Sequence, residues 1–282
     1  MRYAIEGSGT DEALLHRTLG RLSRDDIARL RTDYSARYGE DLYSRLGVFG
    51  RGSFGEVSGD DRLQVERELM GVPRNDREQL EVAMFANQQQ VNERGILDVN
   101  GGSAEERALD DAYADLHSMA GSGTVTLDEF GRPTITGGSF DARGRYTGPD
   151  RDAFGRSLNF SQAAVDAYTA RIDRIASVVT TGIAILGAVV AAAITIATAG
   201  AAGPLIVAAL ATGLASMAAN AAIRGGRYGW EEAAVDLGMT AVQTITAGVG
   251  AQLGAASQAA IKGAQAAGAT AATITRMSIV NA

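Results

Sequence analysis

Through the first ninety residues apolar positions recur at helical spacing between charged ones. Leu14, Leu15 and Leu19 mark one face, and Ile27, Leu30, Tyr34 and Tyr38 mark the next. Thr10 reads as the N-cap of the first helix, with Asp11 and Glu12 in its first turn. Ser23 reads as the cap of the second helix and Gly39 as its stop. A short helix follows through Leu42 and Leu46, and "FGRGSFGEVSGD" is a loop by its glycines. Leu63, Val65, Leu69 and Met70 belong to another helix. Pro73 to about Gln90 is the next, with Leu80, Ala83 and Phe85 buried.

The pattern then changes twice. Ser103 caps the helix "AEERALDDAYADLHSMA". Val125, Leu127, Phe130 and Ile135 surround a Gly-Arg-Pro turn, which predicts a short β-hairpin that needs a helix to pack on. Pro149 reads as the first residue of a helix that runs without a hard stop to Thr198. That helix begins amphipathic and becomes charge-free, since no charge lies between Arg174 and Arg224. "AGAAGP" interrupts it, and Pro204 can open a second helix to about Ile223. A glycine-rich turn, "RGGRYGWEE", leads into an Ala/Gly-rich third stretch over about 231–260.

The predicted class is therefore mainly α, in three parts. Residues 1–92 form a helical unit, 93–148 a connector with one helix and a short β-hairpin, and 149–282 long hydrophobic Ala/Gly-rich helices in a hairpin or bundle.

The charge-free run is long enough to cross a bilayer. Ile175 to Ala199 holds ten Leu, Ile and Val, worth about −4 kcal/mol together on the membrane-insertion scale. Four Thr, one Ser and two Gly oppose that sum. Residues 204–223 insert more weakly, with Asn220 inside the segment. Three readings stand: a conditional membrane hairpin, which is preferred, a soluble Ala-rich bundle, and a constitutive anchor. For the hairpin the membrane-contact candidates are Ile183, Leu186, Val190, Ile194, Leu205, Val207, Leu210, Leu214 and Trp230. Tyr228 and Trp230, beside Arg224 and Arg227, suit a membrane interface.

Composition narrows the chemistry. The net charge of −7 argues against a nucleic-acid partner. Without cysteine there are no disulfides, thiolate metal sites or Cys nucleophiles. His16 and His117 are the two histidines, too few for a multi-histidine metal site in one chain. Both are expected to be structural. No nucleophile elbow or phosphate loop occurs, so neither an enzyme nor a cofactor is expected. The N-terminus lacks the apolar core of a secretory signal, so any export is expected to use a dedicated system. Both ends read as cut from a longer protein.

"AIEGSGTDEALLHRTLGRLSRDDIARLRTDYSARYGEDLYSRL", from Ala4 to Leu46, resembles an annexin repeat. Gly7, Gly9, Thr10, Asp11 and Glu12 match its opening loop, and Tyr38-Gly39 and Asp41-Leu42 match its later landmarks. With the two following helices the likeness spans about seventy residues. The resemblance implies a calcium loop completed by an acid about forty positions on, a place that falls on Phe49. Gly7, Gly9, Thr10 and Glu12 are therefore expected to form a degenerate loop that does not hold calcium. A second resemblance lies in "GGRYGWEEAAVD", from Gly225 to Asp236, after an Ala/Gly-rich hairpin. It is similar to the middle region of bacterial polymorphic toxins, above all effectors of extracellular contractile injection systems. That likeness implies a bacterial, non-catalytic delivery module. Its partners would be a lipid membrane and an injection particle or cargo domain. A soluble scaffold for loading cargo is the alternative.

Overall fold

The computed structural model describes residues 11–50, 57–94, 103–197 and 202–246, with backbone alone for 181–197, 202–211, 230 and 241–246. The described chain is mainly helical with one small sheet. By contact it falls into two compact units, one holding the described residues up to Arg171 and the other those from Ile172 on.

In the first unit α1 (Glu12–Leu19), α2 (Arg24–Tyr38), α3 (Leu42–Leu46) and α4 (Gly59–Glu68) enclose one apolar cluster. Leu15, Leu19, Leu42, Leu46, Val65 and Leu69 have no exposed surface. Burying a leucine this completely contributes about 1.5–3 kcal/mol. The local signals explain the boundaries. Ser23 and Asp26 form a reciprocal capping box at the start of α2, and Gly39 ends it at a φ of 71°. Asp41 accepts from the Ser44 N–H and caps α3.

One start differs from expectation. The cap of α1 is Asp11, whose carboxylate accepts from the Leu14 N–H at 2.9 Å, and Thr10 lies outside the described residues. Aspartate at the cap places its charge against the helix dipole, which a threonine hydroxyl does not.

A second cluster joins α5 (Asp76–Asn92), α6 (Ala104–Met119), a hairpin and the start of α7 (Arg151–Ala197). α5 starts later than Pro73, because Asn75 is its cap and accepts from the Glu78 N–H. β1 (Thr124–Leu127) pairs antiparallel with β2 (Pro133–Thr136), with Val125 opposite Ile135. The hairpin has the helices it needs: Ile135 packs with Leu80 and Met84 of α5 and Leu116 of α6. Glu81, 1% exposed, accepts the Ile135 N–H at 2.7 Å and pairs with Arg24 at 2.7 Å. This one buried carboxylate ties α5 to β2 and to α2.

Asp76 links two further segments to α5. It accepts the Tyr146 N–H at 2.7 Å and pairs with Arg151 at the start of α7. Pro149 precedes that start and is not its first residue: Asp150 is the cap, accepting from the Ala153 N–H at 2.8 Å. Ser157 and Arg171 of α7 then meet Asp115 and Glu106 of α6. The absence of a stop signal is matched by one unbroken helix of 47 residues.

Candidate functional site

The second unit holds the end of α7, α8 (Ala202–Arg224), a 3₁₀ turn at Gly225–Arg227, and α9 (Trp230–Thr246). α8 begins before Pro204, which therefore sits within its first turn. Arg224 at the end of α8 meets Asp173 of α7 at 3.2 Å, just ahead of the charge-free stretch. The turn supplies its own cap. Gly229 donates its N–H to Glu232 at 2.9 Å, and Ala233 returns to the Gly229 carbonyl. Glu231 and Glu232 favour the N-terminal dipole of α9.

Small and polar side chains bring α8 and α9 together. At Gly213 an added Cβ would fall on the side chain of Thr240. Such closeness is what glycine permits in a helix contact. One turn away Asp236 accepts from Asn220 at 2.9 Å and from the Tyr228 hydroxyl at 2.8 Å. Burial holds the Tyr228 hydroxyl well above the ordinary tyrosine range, and the neighbouring Asp236 adds to this. The phenol stays a donor, which suits a carboxylate that can only accept. Arg227 in the turn is 4% exposed.

The exterior is the opposite. Leu214, Val235 and Met239 are 59%, 64% and 58% exposed. Asp236 is the only charge from Ala233 to Thr246, and it is turned into the α8–α9 contact. Polar groups thus pair between the helices while large apolar side chains face out. Ile223 and Leu237 add an apolar contribution to the inside.

Among the membrane-contact candidates, Leu214 is exposed. Ile183, Leu186, Val190 and Ile194 lie on the α7 backbone, Leu205, Val207 and Leu210 on α8, and Trp230 opens α9. Their side chains lie outside the described residues, as does the stretch beyond Thr246. Among the described residues no helix is long and apolar enough to cross a membrane. The Asn220–Asp236–Tyr228 link was not foreseen. Asn220 counts only as a polar defect and Tyr228 only as an interfacial aromatic when read singly. Their joint signal is one acid and two donors flanking a turn.

The degenerate loop divides differently. Gly7, Gly9 and Thr10 lie outside the described residues, while Glu12 is in the first turn of α1. Phe49, at the position where the annexin-like spacing places a calcium-binding acid, makes aromatic contacts. Its ring centroid lies 5.1 Å from Tyr43, 5.6 Å from Phe130 and 6.1 Å from Phe85. Its N–H donates to Glu66 at 2.7 Å. A family model described as Annexin matches residues 1–57. The annexin-like part therefore covers α1 to α3, and the remaining elements lie outside the match. No curated protein and no solved structure matches the chain.

His16 of α1 contacts Glu68 at 3.0 Å and Asp61 at 3.6 Å, joining α1 to α4. His117 closes α6 and meets the Tyr113 ring edge-on at 5.8 Å.

Proposed function

We propose that this chain is a non-catalytic delivery module of a bacterial secreted effector. An annexin-like helical unit carries a small-residue hairpin that leaves its packed form on membrane contact and helps move an attached cargo domain. The observation that carries this reading is the arrangement of the second unit. Asp236, the charge at the α8–α9 contact, is satisfied by Asn220 and Tyr228, while Leu214, Val235 and Met239 face outward. Polar groups paired inside and apolar groups outside suit a lipid surround. The marginal insertion energy of Ile175–Ala199 supports a conditional step over a permanent anchor. The amphipathic segment packed on α6 and that stretch are consecutive in the sequence of one helix, α7.

A second reading is a soluble helical scaffold that packs into an injection particle. It is favoured by the absence, among the described residues, of a helix long and apolar enough to cross a membrane. Flotation of the full chain with anionic liposomes, from neutral to acidic pH, separates the two. Lipid association in at least one condition is expected. A monodisperse protein that never floats, at any pH, favours the scaffold.

A further inference from the structure

We propose that the cavity beside Phe49 binds a small organic cation with an ammonium or guanidinium head. The cavity measures about 150 Å³, room for a head of several heavy atoms. Phe49, Phe85 and Phe130 form its aromatic part. Its charged part is Arg62, which pairs with Glu66 at 3.0 Å and with Glu93 at 2.9 Å. Among the described lining residues, two carboxylates against one guanidinium leave one negative charge.

The amide acceptors point the same way. Gln89 is 5% exposed and donates to Glu66 at 2.7 Å and to the Leu63 carbonyl at 3.1 Å. Its Oε1 is buried without a partner, and so is the Oε1 of Gln88, another lining residue. Unmet buried acceptors call for an N–H donor. Net negative charge calls for that donor to be cationic, and the aromatic rings favour a cation over their faces. Two guanidinium groups already rest on this cluster: Arg132 lies 4.9 Å from the Phe130 ring and Arg31 4.7 Å from it. Each has its own carboxylate, Asp128 and Asp41, so neither neutralises the cavity. Phe49 itself has a φ of 55°, in the left-handed region that non-glycine residues rarely adopt. Its N–H bond to Glu66 holds it there, at the wall of the cavity. Such strain clusters at ligand clamps.

Titration calorimetry of the full chain tests this with methylguanidinium and propylammonium chloride, against sodium chloride at equal ionic strength. Saturable binding of at least one probe is expected. Gln88→Met removes one unmet acceptor and Glu93→Gln removes the net charge. Each should weaken binding about tenfold or more, as expected for loss of a charge-assisted contact, with an unchanged circular dichroism spectrum. Should Glu93→Gln fail to fold, Gln88→Met alone carries the test. An arginine-containing tripeptide amide that binds more tightly than methylguanidinium would assign the head to a protein side chain. Weaker peptide binding would assign it to a free small cation. Heats equal to the sodium control, or binding that neither variant weakens, would overturn the proposal.

Discussion

The two units satisfy their polar groups in contrasting ways. In the first, leucine and aromatic clusters form the inside, and carboxylates such as Glu81 and Asp76 bind elements together where they meet. In the second, the helices touch through Gly213, Thr240 and the Asn220–Asp236 pair, and large apolar side chains stay outside. The first is organised as a core that excludes water. The second has little core of its own among its described residues, and its exterior carries the exposed Leu214, Val235 and Met239. In the proposed reading the first unit is the platform and the second is the segment that changes its surroundings.

Independent behaviour of the units sharpens this contrast most. Glu81→Ala should cost the first unit about 1–3 kcal/mol, because the buried Ile135 N–H loses its acceptor and the part-exposed Arg24 its partner. The chain's one tryptophan, Trp230, opens α9 and reports on the second unit. The main circular dichroism transition should move to lower temperature while the tryptophan transition holds. Joint movement would mean that the units melt as one.

The reverse experiment is Gly213→Val. The added side chain meets Thr240 across the α8–α9 contact, at a cost of about 1–3 kcal/mol. Here the tryptophan transition should fall and the first unit should be unaffected. An unchanged tryptophan melt would show that the helices do not approach at this glycine.

Asp11→Ala should destabilise the first unit by about 1 kcal/mol in urea unfolding, through loss of the α1 cap. Thr10→Ala should cost less. The opposite ranking would return the cap to Thr10.

Acid separates the units more gently. In the first unit the Ser23 hydroxyl lowers the Asp26 carboxyl, and backbone N–H donors from Arg145 and Ala153 lower Asp141 and Asp150. A lowered folded value means stability that is present above about pH 4 and lost as pH falls further through the folded values. The circular dichroism melt should therefore drop below about pH 4. Alkali is less selective, since burial raises both Tyr43 and Tyr228, and each loses its contribution as pH climbs past about 10.

Much of the fold was legible because its signals are local. The capping pair Ser23 and Asp26, the glycine at 39 and the missing stop after Asp150 each act within a few residues. The errors at Thr10, Pro73 and Pro149 share one cause: an acidic or amide side chain a residue or two later captured the free N–H groups. The candidate site was legible as composition but not as contacts. A charge-free stretch marks long apolar helices, whereas the pairing of Asp236 with Asn220 sixteen residues earlier depends on how two helices align. Phe49 shows the same limit. The annexin-like spacing led to that position, but only packing against Tyr43, Phe85 and Phe130 reveals what occupies it.

Leu214→Arg tests the central claim most directly. Leu214 is 59% exposed, so the charge should leave the water-facing fold intact, within about 0.5 kcal/mol. On the insertion scale an arginine near the centre of a segment costs about 2.5–3.5 kcal/mol, enough to cancel most of a marginal gain. Circular dichroism and liposome dye release are measured on one sample of each protein. The account predicts normal folding for both, dye release by the wild type, and none by the variant. A folded Leu214→Arg chain that releases dye as fast as the wild type would contradict it.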